Sequence, residues 1–310
     1  MIENYQLEKL RSIPESGDVF LFKSCTINSL YPSVEASTRK CLKRLGFQVL
    51  ESDAQTCCTD PLYYSNLEDD IQMTAIMARN LALIEKYSKV IVTECNGCFS
   101  TLTQAVESLN NKRIKEKIDP IISKYGYKLS NDFLIIHIIE LYFKILPKIV
   151  ELKKFDLRNI RIAAHYGCNF ARAHPEQIIT DPQNPQIIEK IIENCNGIPL
   201  QYTEMGCCCG AGIIQRNINP DLSLDVSYQK MKSISEVDPD LIVTICPFCM
   251  STLENCQLSL EVEKNLELSI PVIHISELIG VILGFDPVSE LGLNSHAIDL
   301  MPVIKKIREG

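Results

Sequence analysis

Short apolar runs rich in β-branched residues alternate along the chain with longer stretches whose apolar positions recur at helical spacing. Residues 19–22, 89–93, 160–164 and 240–245 read as buried strands of parallel sheet. Between them lie helical patterns. One covers 33–45, with Pro32 at its start, Val34, Cys41, Leu42 and Leu45 on one face, and Gly46 as a stop. A second covers 67–87, with Ile71, Ala75, Ala78, Leu81, Ala82 and Ile84 on a stripe, and 221–237 is its counterpart further along. The Ser-Thr-Leu triplets at 100–102 and 251–253 suit helix starts. The most apolar stretch, 133–150, is broken by His137, Glu140, Lys144 and Lys148. It is too short and too charged for a membrane span, which needs about 20 apolar residues. It predicts a long helix buried in a core or a subunit contact.

Charge and length add limits. A formal net charge of −8, with no stripe of clustered Lys and Arg, argues against nucleic acid as the main partner. Residues 1–18 are polar and hold no targeting segment, which predicts a soluble cytoplasmic protein. In that compartment fourteen cysteines point to metal binding or redox chemistry rather than structural disulfides.

Their spacing is written twice. Cys25, the doublet Cys57-Cys58 and the C-x-x-C pair Cys95 and Cys98 form one set; Cys168, the doublet Cys208-Cys209 and the pair Cys246 and Cys249 form the other. From doublet to C-x-x-C there are 36 intervening residues in both, and from first Cys to doublet 31 in one and 39 in the other. A repeat of this kind predicts an α/β fold of two homologous, pseudo-symmetric halves, 1–155 and 156–310, with the cysteines on loops at strand ends.

Three chemistries compete for five cysteines per half: a zinc site, a thioredoxin-like dithiol, and an iron–sulfur cluster. Adjacent cysteines cannot easily place both sulfurs on one tetrahedral ion, but they can serve different irons of one cluster. Five thiolates also exceed a closed zinc site, although zinc in one half stays open, as does a vicinal disulfide. No C-x2-C-x2-C-x3-C-P run, G-x-G-x-x-G or G-x4-G-K-[ST] occurs, so any nucleotide or flavin sits on a partner.

The doubled pattern resembles the cysteine-rich CCG domains of the B-type subunits of heterodisulfide reductase. The likeness extends to Tyr31-Pro32-Ser33-Val34-Glu35-Ala36-Ser37-Thr38, Ala78-Arg79-Asn80-Leu81, Glu94-Cys95-Asn96-Gly97-Cys98-Phe99, His165-Tyr166-Gly167-Cys168, Cys208-Cys209-Gly210-Ala211-Gly212, Cys246-Pro247-Phe248-Cys249 and Ser276-Glu277-Leu278-Ile279-Gly280, over roughly 19–284. The resemblance implies a catalytic subunit with two non-cubane [4Fe-4S] clusters. Cys25, Cys57, Cys58, Cys95 and Cys98 would hold one, and Cys168, Cys208, Cys209, Cys246 and Cys249 the other. It further implies a small thiol or disulfide substrate, in methanogens the coenzyme M–coenzyme B heterodisulfide. Electrons would come from an A-type flavin subunit and a C-type iron–sulfur subunit. Two departures stand out: Thr59 follows the first doublet where Gly is usual, and an extra Cys207 precedes the second. Related heterodisulfide-reductase-like proteins of sulfur oxidation use similar halves on other thiols, and a subunit that only transfers electrons is a further alternative.

The other candidates read as structural. Cys41 sits on an apolar helix face, and Cys195 and Cys256 have no partner at ligand spacing. His165, three residues before Cys168, could donate to a cluster sulfur, with a satisfied structural histidine the plainer expectation. His137 reads as core or interface; His174, His274 and His296 carry no signal. Lys23 and Arg79 could meet anionic substrate groups or serve surface roles.

Overall fold

The computed structural model describes residues 4–130 and 132–310. Among the described residues eight strands build two separate four-stranded sheets. The first contains β1 (Gly17–Phe22), β2 (Phe47–Leu50), β3 (Val90–Thr93) and β4 (Leu134–His137), in the order β2-β1-β3-β4. The second contains β5 (Arg161–His165), β6 (Ile198–Leu200), β7 (Leu241–Thr244) and β8 (Val272–His274), in the order β6-β5-β7-β8. Every pairing is parallel, and the two sheets repeat one topology. The register agrees in detail: Phe22 pairs with Thr93 as His165 pairs with Thr244. Parallel strands need a crossover between neighbours, and the predicted helices supply it as Pro32–Arg44, Asp70–Ile84 and Pro220–Ser235. This is the expected α/β architecture in two homologous halves.

Two expectations change. Stretch 133–150 is not one helix: it is β4 followed by the helices Ile138–Lys144 and Leu146–Leu152. An apolar run of this length fits a buried strand as well as a helix, and β3 offers its Leu134–His137 segment a parallel edge. His137 then opens the helix through a capping box: its Nδ1 accepts from Ile139 N at 3.3 Å and Glu140 accepts from His137 N at 3.0 Å. The second half does the same with His274 and Glu277, at 3.2 and 2.9 Å. The helices after β3 and β7 also start earlier than the Ser-Thr-Leu triplets. They run Asn96–Asn110 and Pro247–Lys264, with Cys95 and Cys246 as N-caps.

The halves interlock by exchange. Helix Ile138–Lys144 of the first half packs on Ile187–Asn194 of the second, and Ile275–Ile282 of the second packs on Pro32–Arg44 of the first. Each exchanged capping box receives a buried cation from a chain-terminal segment. Lys9 Nζ lies 2.9 Å from Glu140, and His296 Nε2 lies 3.1 Å from Glu277. His296 Nδ1 also reaches Glu254 at 3.3 Å, and Glu254 accepts from Tyr31 of the first half at 2.9 Å. His296, which has no motif around it, thus ties the C-terminal segment to both halves.

Burial opposes the His296 charge, but Glu277 and Glu254 outweigh it and push its pKa up to about 10. Because the folded value exceeds the ordinary histidine value of roughly 6.5, its stabilisation is complete below that pH and is lost as pH rises towards 10. His296→Ala leaves two buried carboxylates without their cation and is expected to cost ~3–5 kcal/mol at pH 7 in denaturant unfolding. The variant should also lose the fall in stability expected of the native chain between pH 7 and 10.

Candidate metal centre

The ten cysteines of the two sets sit on the connections that follow strands or in the first turn of the next helix. Cys25 opens the helix Cys25–Leu30 just after β1, and Cys168 opens Cys168–Arg172 just after β5. Gly167, at φ +73, has no room for a side chain, since a Cβ there would meet Cys249 Sγ at 2.9 Å. The C-x-x-C turns straddle helix N-termini, where free amides and the helix dipole favour thiolate charge. The two turns are held alike: Cys95 N donates to Thr93 Oγ1 and Cys246 N to Thr244 Oγ1, both at 3.3 Å.

The doublet loops repeat just as closely. Thr59 N donates to Cys57 Sγ at 3.5 Å, and Gly210 N to Cys208 Sγ at 3.3 Å. Arg79 anchors the first loop through the Ala54 carbonyl; Lys230, at the matching place in the second, donates to the Glu204 and Met205 carbonyls. Arg79 and Lys23, which pairs with Asp53 and Glu51, therefore serve the scaffold around the first loop. Thr59 takes up the positive φ, +59°, that Gly210 takes at +93°. The loop demands a left-handed residue, and a β-branched side chain supplies it under strain.

None of the fourteen cysteines is paired in a disulfide, the two doublets included. The ten singled out by spacing come together. Within the first half Cys25 contacts Cys57, Cys58 lies 3.2 Å from Cys98, and Cys98 contacts Cys95. Within the second half Cys168 contacts Cys208, Cys209 contacts Cys249, and Cys249 contacts Cys246. Neighbours in each doublet thus face different partners. The two series meet at Cys95 and Cys246, which touch across the pseudo-two-fold between the halves. Asn96 Nδ2, donating to the Tyr166 carbonyl at 2.6 Å, reinforces that junction.

The bare sulfurs cannot all ionise. Cys58 is pushed below the thiol range by hydrogen bonds from Cys57 and Cys98, and Cys208 by those from Cys168 and Cys209. Cys98 and Cys249 are pushed well up by sharing hydrogen bonds with Cys58 and Cys209, and by burial. Five thiolates this close need a multivalent cationic centre, and the split doublets suit several metal atoms better than one ion. The donor sets therefore fit polynuclear iron clusters.

Cys207 is exposed and contacts Glu204 outside the series, leaving Cys208-Cys209 as the converging doublet. Cys41 is buried at the exchanged helix contact, its Sγ 3.5 Å from the Ser276 carbonyl; Cys195 is buried and Cys256 half-buried, both apart from the sulfur series. His137 is buried between the halves, facing the Ile245 carbonyl, and His274 Nε2 reaches the Glu94 carbonyl at 3.1 Å in reciprocal fashion. His165 departs from expectation: it is fully buried, but neither ring nitrogen has a hydrogen-bond partner among the described residues. Burial and then nearby Lys230 hold it neutral, with a pKa of about 3.

A cleft of about 300 Å³ opens on the junction. Its wall includes all five sulfurs of the second set but only Cys95 of the first, with Asp60, Asn169 and Phe248 around them. Asp60, which belongs to no motif, accepts from Asn169 Nδ2 at 3.0 Å across the halves. Burial and the Cys95 charge push its pKa up to about 7. Its only sequence signal is its place two residues after the doublet.

This fold and these sulfurs define a protein of two cysteine-rich CCG domains, and the cysteine-rich domain family CCG matches residues 19–103 and 162–254. The chain belongs to the family of B-type heterodisulfide reductase subunits. It is 31% identical over 93% of its length, and 96% of the relative's, to the B-type subunit of the ferredoxin/F(420)H(2)-dependent CoB-CoM heterodisulfide reductase of Methanosarcina acetivorans. A protein of Archaeoglobus profundus described as like the B-type heterodisulfide reductase subunit is 32% identical over 93% of this chain and 97% of its own. An 8-methylmenaquinol:fumarate reductase membrane anchor subunit of Wolinella succinogenes is 25% identical over 90% and 96%. The fold recurs in a crystal structure of a hypothetical protein from Helicobacter pylori, with TM-score 0.72 at 15% identity over 96% of this chain, which spans 57% of that longer one. These relatives support an iron–sulfur subunit of oxidoreductase type. No described helix is long and apolar enough to cross a membrane.

Thr59→Gly is expected to stabilise the metal-free chain by about 1 kcal/mol, as left-handed strain is relieved and partly offset by unfolded-state entropy. Gly210→Ala should destabilise it, because a Cβ there would meet the Ser223 carbonyl at 2.6 Å. Denaturant midpoints of the two variants check both signs.

Proposed function

We propose that this chain is the catalytic iron–sulfur subunit of a heterodisulfide reductase-type complex in the cytoplasm, reducing a disulfide to two thiols at two non-cubane [4Fe-4S] clusters. Residues 1–155 carry the first, held by Cys25, Cys57, Cys58, Cys95 and Cys98. Residues 156–310 carry the second, held by Cys168, Cys208, Cys209, Cys246 and Cys249. The single observation behind this reading is the convergence of two five-sulfur sets that abut at Cys95 and Cys246 beside an open cleft. When bound, the clusters supply the two electrons that cleavage of one S–S bond consumes.

The chain's own residues do the rest. Asn169 offers its amide oxygen to orient a substrate at the mouth, Phe248 gives its arm an apolar wall, and Asp60 bounds the opposite side. Electrons arrive from an A-type flavin subunit and a C-type iron–sulfur subunit, since no nucleotide-binding motif occurs in this chain. One observation favours a second substrate reading. The described cleft residues include Asp60 but no lysine or arginine. That lining suits a neutral thiol or disulfide, as in heterodisulfide-reductase-like sulfur oxidation, better than the anionic coenzymes M and B.

Anaerobic purification followed by iron and acid-labile sulfide analysis is the first test, with eight irons per chain expected. Stoichiometric zinc without sulfide would remove the reading. Thiol addition should then alter the paramagnetic resonance spectrum of a cluster, and an unchanged spectrum would reduce the chain to an electron carrier. Turnover of coenzyme M–coenzyme B against a neutral disulfide separates the two substrates.

Cys249→Ser is expected to halve the iron content, losing the second cluster and retaining the first. Loss of both would show that the halves do not load independently.

A further inference from the structure

The two halves repeat the same strand ends, doublets and C-x-x-C turns, and one of the positions at which they differ sets an imidazole beside the second set of sulfurs. β1 and β5 each end three residues before the first cysteine of their set, and the last residues hold the same register, Phe22 against Thr93 and His165 against Thr244. Phe22 is an apolar core residue. At the same station His165 is equally buried, its two ring nitrogens have no hydrogen-bond partner among the described residues, and one lies within 4.8 Å of both Cys209 Sγ and Cys249 Sγ. An unpaired polar group in a protein interior is costly, so a partner is expected when the site is complete. The sulfurs of the second set are the acceptors in reach. A neutral imidazole has one N–H to give and is held here by the strand rather than by a flexible loop.

We infer that His165 donates an N–H···S hydrogen bond to the Cys209/Cys249 sulfurs of the loaded second centre, making it the higher-potential centre of the two. This rests on the cluster reading of the second set. His165 acts as a positioning and tuning residue, not as a metal ligand. Hydrogen bonds to cluster sulfurs stabilise the electron-rich reduced state and raise the reduction potential. Phe22 gives the first centre no such bond. Lys230, buried in the second half, has the cation Arg79 at the matching place in the first, so the imidazole is what separates the two centres. Electrons therefore run from the first centre to the second, whose five cysteines line the cleft. The fold is symmetric, and one strand residue gives it a direction.

The test uses the full chain, loaded anaerobically and labelled with ¹⁵N-histidine. Pulsed paramagnetic resonance on the second cluster should show one weak ¹⁵N coupling; the signal that vanishes in Cys249→Ser identifies that cluster. Potentiometric titration should place the second midpoint above the first. His165→Phe should lower the second midpoint selectively, and His165→Asn, which keeps an N–H donor, should recover part of the shift. If His165→Phe fails to load, the coupling in the unaltered labelled chain still decides. No nitrogen coupling, or midpoints that do not move or move together, would overturn the inference while leaving the clusters in place. A strong, directly bonded nitrogen would overturn it in favour of ligation. A second half without iron would overturn both this and the reading it rests on.

Discussion

Mutual repulsion among clustered thiolates is the constraint around which this molecule is arranged. Ten sulfurs occupy one neighbourhood, and in each half only part of the set ionises without help, because each thiolate formed raises the cost of the next. Every local device nearby lowers that cost. The C-x-x-C turns sit at helix N-termini, the first sulfur of each doublet accepts from the amide two residues on, and the strand-end threonines Thr93 and Thr244 hold the turn amides in place. These devices moderate the charge without neutralising it, and the remainder calls for metal.

Duplication explains how such a site is built. Equivalent residues, 151 positions apart in the doublet-to-C-x-x-C segment, repeat the same contacts, as Arg79 and Lys230 do on the loop carbonyls of Ala54 and Met205. The halves are not free-standing, however. Each gives the helix that follows its last strand to the other, and the capping histidines His137 and His274 face the carbonyls just before Cys246 and Cys95. The exchange fixes the distance between the two sulfur sets, because any slip of one half would pull Glu140 from the Ile179 amide, His274 from the Glu94 carbonyl and Tyr31 from Glu254. Where the repeat is broken, at Thr59 for Gly210 and Phe22 for His165, the two centres acquire different surroundings.

Much of this was legible in the residues. The four strands leading to Cys25, Cys95, Cys168 and Cys246 were visible because parallel strands buried on both faces read as continuous apolar runs. The ligand candidates were visible because cysteine spacing is itself chemistry. What stayed hidden has physical causes too. Between 133 and 150 an unbroken apolar run carries no period that separates strand from helix, so neither β4 nor the capping role of His137 showed. His274, His296 and Asp60 are single residues whose partners lie far along the chain or in the other half. No spacing rule reaches that far.

By itself, then, the sequence determined the donor inventory of each half, the α/β class and the family, because those follow from local order: which residue types stand at which interval along a strand, turn or helix start. Only the tertiary structure decided that Cys95 meets Cys246, that the second set lines the cleft, and that His165 is buried without a partner. Those facts depend on how two sheets pack through exchanged helices. That packing is settled by burial summed over the whole chain, and no single segment encodes it.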